Sequence, residues 1–178
     1  TETNGNITVN QPISGAGVTL NASGALAIDN TVNAGAGPLS LTASGGNITE
    51  TGTLITTGTL TGSASGTVAL GTANQIGTLG SFTSVGGFAL NDTGGLTLGA
   101  AKTDDVTGLG VNISTVGALA MGGNSVSGNG VTLTASGATG SVTVDGTVNA
   151  GAGAAREACE FVLRAQGRLD TALSRYLA

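Results

Sequence analysis

The chain has 178 residues, a net charge of −5, 33 glycines, and neither tryptophan nor histidine. Its acidic balance argues against nucleic-acid binding, which needs clustered basic side chains to displace counterions from phosphates. One cysteine excludes an internal disulfide, no apolar stretch reaches the roughly 20 residues that span a bilayer, and 39% hydrophobic residues indicate a narrow folded core rather than disorder.

A short apolar alternation recurs along residues 1–153 with a period near 20. Its members are Ile7/Val9, Leu26/Ile28, Ile48, Val68/Leu70, Phe88/Leu90, Val111/Ile113 and Val131/Leu133. Counted from the first member of each, the gaps are 19, 22, 20, 20, 23 and 20 residues. Such repetition is typical of a solenoid, in which each unit buries its apolar side chains against its neighbours. The sequence therefore predicts about seven stacked β-coils.

A second apolar alternation lies about half a period after the first. It comprises Val18/Leu20, Leu39/Leu41, Leu60, Leu79, Leu96/Leu98, Leu119/Met121 and Val142/Val144, with shorter apolar marks between the two sets at Ile13, Val32, Ile76 and Val116. This predicts two or three short strands per coil. Outward positions hold Thr, Ser, Asn and Ala, and Gly and Asn are expected at corners that need positive φ. Pro12 and Pro38 each precede a predicted strand start, where a missing backbone donor costs least.

A β-sandwich is the alternative for short alternating strands. The period near 20 and the 2% aromatic content favour the solenoid, because a core between two sheets needs bulkier side chains. With strands about 4.8 Å apart, seven coils predict a rod of the order of 35 Å.

The densest charge cluster is Lys102-Thr103-Asp104-Asp105. Two carboxylates can share general acid and base roles on a polysaccharide, which makes a β-helical enzyme the alternative to a purely structural repeat. Adjacent strand residues point to opposite faces, however, and this cluster lies in the 23-residue unit, so a solvated loop is the favoured interpretation.

Three single aspartates, Asp29, Asp92 and Asp145, could supply oxygen ligands to calcium, but Asx turns explain them better. The Thr-x-Thr pairs Thr51/Thr53, Thr57/Thr59 and Thr59/Thr61 lie close together and do not recur in step, which favours β-propensity over ice binding. Asn-x-Ser/Thr sequons begin at Asn6, Asn21, Asn47, Asn91 and Asn112. The sequence predicts no enzyme activity, no catalytic residue, no cofactor and no metal.

Residues 154–178 have a different composition, with four of the five basic residues of the chain. At 100° per residue, one stripe collects Ala158, Val162, Ala165, Leu169, Leu173 and Tyr176, which predicts an amphipathic helix. Three interpretations remain open: a cap on the open end of the solenoid, a helix for association with a partner or a second copy, and a foreign ending. Cys159 lies near the apolar edge and is expected to be a small buried hydrophobe.

Several phrases of the repeat resemble the filamentous-haemagglutinin-like exoproteins of bacterial two-partner secretion. They are Gly-Asn-Ile-Thr at 5–8 and 46–49, Thr-Val-Asn-Ala-Gly-Ala-Gly at 31–37 and 147–153, and the stretch 73–87. The resemblance covers residues 1–153 and implies a right-handed parallel β-helix, exported through an outer-membrane pore and located outside the bacterial cell. The secretion-domain signatures of that family are missing, which implies an internal shaft segment.

These observations predict an all-β chain with a parallel β-helix over 1–153 and an amphipathic helix over 154–178. The expected function is a structural shaft segment of a secreted or cell-surface adhesin-like exoprotein, with glycans or surface proteins as partners. The alternatives are a polysaccharide-acting enzyme and a truncated or engineered solenoid without specific activity.

Overall fold

The computed structural model describes residues 5–99 and 105–151, which form 18 strands. In chain order these are β1 (Ile7–Val9), β2 (Ile13–Ser14), β3 (Val18–Ala22), β4 (Leu26–Ile28), β5 (Val32–Gly35), β6 (Leu39–Ala43), β7 (Ile48–Glu50), β8 (Leu54–Ala64), β9 (Val68–Ser84), β10 (Phe88–Asp92), β11 (Leu96–Leu98), β12 (Val106–Thr107), β13 (Val111–Thr115), β14 (Leu119–Ala120), β15 (Ser125–Ser127), β16 (Val131–Ala135), β17 (Val142–Thr143) and β18 (Thr147–Asn149). The strands stack in parallel as a β-solenoid of about seven turns, which confirms the predicted coils.

The first face of the solenoid follows the predicted period. Each coil begins with a residue that pairs in parallel register with its equivalents in the coils before and after it. The paired residues are Ile7, Leu26, Ile48, Val68, Phe88, Val111 and Val131. Coils 1 to 7 are named here from these starting residues. Alternation within each strand places these side chains inward, where period-2 patterning predicts them.

The other two faces change their alignment at coil 4. Leu79 in β9 pairs with Leu60 of coil 3 and with Leu98 of coil 5, whereas Leu96 pairs with Leu119. The second predicted set is therefore paired through coil 4, where the register passes from Leu79 to Leu98, the second member of its coil 5 pair. The first strand has three residues in coils 1 to 3 and five in coils 5 to 7, so the following strand is shifted along the chain. Strand β9 runs without a break through the corners of coil 4. It connects the alignment of coils 1 to 3 with that of coils 5 to 7.

One narrow core runs through the coils and consists mostly of Val, Ile, Leu and Ala. Phe82 and Phe88 are the bulkiest side chains in it, with ring centroids 5.1 Å apart and planes tilted by 55°. Of the shorter apolar marks, Val32 and Ile76 are buried, Ile13 is half-buried, and Val116 is exposed. Val116 lies in the turn after β13, so this apolar mark does not correspond to a strand.

Glycine and asparagine have different roles at the corners. Among the described residues, positive φ occurs only at glycines, for example at Gly122 (59°) and Gly123 (79°) in the turn after β14. The expectation that asparagine also takes positive φ at corners is wrong for every asparagine that the structure describes. Asn6 and Asn47 instead accept hydrogen bonds from the backbone N–H of the next coil, at 2.8 and 2.9 Å. An asparagine corner therefore holds adjacent coils together through its side chain.

Pro12 and Pro38 directly precede β2 and β6, as predicted. The predicted helix over 154–178 lies outside the described residues, as do Lys102, Thr103 and Asp104.

Candidate functional site

A group of buried and half-buried polar side chains lies between coils 3 and 5 of the solenoid. We call Glu50, Thr72, Asn74 and Asp92 the polar seam. Glu50 pairs in register with Ile28, at an inward position, and Asn74 pairs with Asp92. Asn74 and Asp92 are fully buried. Because buried polar groups must be hydrogen-bonded to avoid a desolvation penalty, the partners of these side chains decide what the seam does.

Asn74 joins three coils at the centre of the seam. Its Oδ1 accepts a hydrogen bond from the backbone N–H of Leu54 in coil 3 at 2.7 Å, and its Nδ2 donates to Glu50 Oε2 at 3.0 Å. Its backbone carbonyl accepts from both the N–H (2.8 Å) and the hydroxyl (2.7 Å) of Thr93 in coil 5. One residue thus fixes the relative positions of coils 3, 4 and 5.

Glu50 is only partly satisfied. Its Oε2 accepts from Asn74 and, at 3.3 Å, from the backbone N–H of Thr72, whereas its buried Oε1 has no hydrogen-bond partner among the described residues. Burial raises the pKa of the Glu50 carboxyl above its ordinary value of 4.5, although the hydrogen bonds from Asn74 and Thr72 lower it in part. The charged form of Glu50 is therefore a local cost to the fold.

Asp92 closes the seam on the side of coil 5. Its Oδ1 accepts from the N–H of Ile76 at 2.7 Å, and its Oδ2 accepts from the N–H of Gly94 at 2.8 Å in an Asx turn. Burial raises the pKa of Asp92 above 3.8, and backbone hydrogen bonds act in the opposite direction. Since Asp92 is fully buried, its carboxylate cannot contact a polymer substrate. The polar seam instead holds coils 3, 4 and 5 together through hydrogen bonds.

The raised pKa of Glu50 predicts that the protein becomes more stable on mild acidification. Because the folded pKa lies above the unfolded value, the folded chain binds more protons between the two, and stability falls as pH rises through the folded pKa. The stabilising contribution is fully present below about pH 4.5. The raised pKa of Asp92 also makes the protein more stable at lower pH, and its ordinary pKa of 3.8 is lower than that of Glu50. Urea unfolding at pH 4.5 and pH 7 measures the difference.

Glu50→Gln is the variant that isolates this effect. Its amide oxygen keeps the two hydrogen bonds from Asn74 and Thr72 but carries no charge, so we expect higher stability at pH 7 and a smaller pH dependence. Thr49→Ser, on the exposed side of the same strand, is the control and should retain the wild-type pH dependence. Equal pH dependence in wild type and Glu50→Gln would contradict the assignment.

The charged residues singled out in the sequence have separate structural roles where they are described. Asp105 accepts hydrogen bonds at Oδ1 from the N–H (3.1 Å) and the hydroxyl of Ser125 in the next coil. The proposed carboxylate pair is not brought together here, because Asp104 lies outside the described residues.

Asp29 accepts from the Thr51 hydroxyl at 3.2 Å, and Asp145 accepts from the N–H of Gly123 at 3.2 Å. Each of these aspartates thus bonds to a neighbouring coil, while Asp92 is the one that forms an Asx turn. Within 5–99 and 105–151, no three Asp or Glu side chains are grouped closely enough to hold a metal ion.

A row of outward polar residues runs through all seven coils on strands β3, β6, β8, β9, β12, β15 and β18. We call it the polar ladder, and its members pair in register from one coil to the next. They are Asn21, Thr42, Ser63, Thr83, Thr107, Ser127 and Asn149. Each carries a hydroxyl or amide group, and parallel strands repeat at about 4.8 Å. The ladder is therefore an uncharged, regularly spaced set of hydrogen-bonding groups on the surface.

Sequence reasoning missed the seam and the continuity of the ladder. Glu50 follows Ile48 at the place where other coils have Val9, Ile28 or Leu70, so a polar residue at an apolar repeat position was the available signal. Asn74 gave no comparable signal, because asparagine is expected at turns. The ladder required the register of coils 4 and 5, which the spacing alone does not supply.

Comparisons with family models, with curated proteins and with solved structures find no match to this chain. A search of the described residues finds no helix that is long and apolar enough to cross a membrane.

Proposed function

We propose that this chain is a structural shaft segment of a secreted or cell-surface adhesin-like exoprotein, wound as a right-handed β-helix. The observation that carries the proposal is the polar ladder, which repeats in register on every coil above one continuous apolar core. A repeat of this kind supplies length and an extended surface at once. Right-handed winding, export through an outer-membrane pore and extracellular location rest on the resemblance of residues 1–153 to filamentous-haemagglutinin-like exoproteins.

The chemistry of the ladder favours neutral glycans as the adhesive partner. Hydroxyl and amide groups donate to and accept from sugar hydroxyls without the desolvation cost of charged groups. The described residues include five acidic side chains and no Lys or Arg, so they offer no basic patch for an anionic ligand. A single hydrogen bond is weak, but a regular row allows several contacts with one extended glycan, and such contacts reinforce one another.

A glycan array compared across two matched triple variants tests the adhesive role. The ladder variant is Thr42→Val/Thr83→Val/Thr107→Val, which removes three hydroxyls and keeps the side-chain shape. The control is Thr8→Val/Thr49→Val/Thr132→Val, which makes the same change at exposed positions on the first face. We expect the wild type to bind neutral glycans, the ladder variant to lose at least about tenfold in apparent affinity, and the control to bind like the wild type.

Two outcomes would overturn the adhesive role. One is absence of binding to every neutral glycan by the folded wild type, and the other is equal loss in both variants. Because valine suits strands as well as threonine does, circular dichroism should show the same β-signal in all three proteins.

A further inference from the structure

The end of the solenoid at coil 7 presents an apolar face. Val142 pairs with Leu119 and Val148 pairs with Val126, and both partners in coil 6 are completely buried. In coil 7, Val142, Val144 and Val148 are exposed by 40%, 55% and 38%, because no described residue covers them from the far side. These three valines form what we call the end face.

The chain that follows the end face has the pattern to cover it. Only residues 150–153, Ala-Gly-Ala-Gly, separate the end of β18 from Ala154, and four residues span at most about 14 Å. The segment after them is therefore within reach of the end face. Its apolar stripe, at helical spacing, consists of Ala158, Val162, Ala165, Leu169, Leu173 and Tyr176.

The length of the predicted helix also suits the end face. A helix over 158–176 would be about 27 Å long, and β16, a five-residue strand of coil 7, is about 17 Å long. One helix can therefore cross the whole end of the coil. Gly167 in the middle of the segment costs about 1 kcal/mol relative to alanine, so this helix needs a packing surface to be stable.

We propose that residues 154–178 dock as an amphipathic helix on the end face of coil 7 of the same chain and cover Val142, Val144 and Val148. The short connection gives this segment a high effective concentration at the end face, which favours it over a second copy of the chain. The docked helix also covers the unpaired backbone edge of the last coil, which would otherwise invite strand addition.

The test uses the full chain with two double variants that add the same charge. Leu169→Asp/Leu173→Asp places aspartates on the stripe, and Thr171→Asp/Ser174→Asp places them on the opposite side of the predicted helix. Hydrogen exchange of coil 7 amides is measured together with helical circular dichroism. We expect the stripe variant to exchange at least about tenfold faster in β17 and β18 and to lose helical signal, with the control within about twofold of wild type.

Exchange in β4 and β7 shows that the solenoid stays folded in every variant, so loss of protection confined to coil 7 is interpretable. Sedimentation velocity over a range of concentrations should give a monomer. The proposal is overturned if coil 7 exchanges rapidly in wild type, if both variants behave alike, or if protection of coil 7 depends on protein concentration, which would place a second copy on the end face.

Discussion

Replacing Phe82 with alanine is expected to lower the free energy of unfolding by about 3–5 kcal/mol. Phe82 is completely buried and packs against Phe88, and its ring also fills the space opposite Gly62 in coil 3. A Cβ atom at Gly62 would clash with the backbone carbonyl oxygen of Leu41 and lie 2.6 Å from the Phe82 ring, so these two groups leave no room for a side chain there. Removing the ring opens a cavity between coils 3 and 4 that backbone stacking prevents from closing.

Urea unfolding followed by circular dichroism measures this loss, and Val85→Ala is the matched control. Val85 lies just beyond the end of β9 and is exposed, so its truncation should change stability by less than about 0.5 kcal/mol. A cost of less than about 1 kcal/mol for Phe82→Ala would show that neighbouring coils collapse into the space. The core would then be more deformable than its stacked register indicates.

The first face could be predicted from the sequence almost residue by residue. The first inward position of this face is apolar in every coil, and burial permits no slip of a single residue, because such a slip would turn Leu26 or Phe88 to the solvent. The second set is aligned through Leu79, which pairs with Leu60 and Leu98, but the register passes to the second member of the coil 5 pair, where the first strand is longer. Spacing within a coil depends on corner geometry, which composition does not encode.

The polar seam could not be predicted, for a different reason. Asn74 and Asp92 are residue types that usually mark exposed turns, and Asp92 does form a turn with Gly94. Their burial follows from the stacking of three coils over one another, a long-range property. Glu50 interrupts an apolar row, yet one sequence cannot show whether such a residue points inward with partners or is pushed out by a bulge.

Removing the Asp92 carboxylate is expected to destabilise the protein by about 2–5 kcal/mol, because it leaves two backbone donors, the N–H groups of Ile76 and Gly94, without their acceptors. Asp92→Ala should show the full loss. Asp92→Asn should show a smaller one, since its single amide oxygen can keep only one of the two hydrogen bonds. The order of stability expected from urea unfolding at pH 7 is wild type, then Asn, then Ala.

Asp29→Ala is the control, because Asp29 is exposed and receives a single side-chain hydrogen bond from Thr51. It should cost less than about 0.5 kcal/mol. Hydrogen exchange adds a spatial prediction: in Asp92→Ala, protection should fall first in β9 and β10, which meet at the seam, while β1 and β4 keep theirs. A uniform loss of protection across all coils would contradict a local stabilising role of the polar seam. Asp92 would then support the cooperativity of the whole stack, and Asn74 and Glu50 would be expected to do the same.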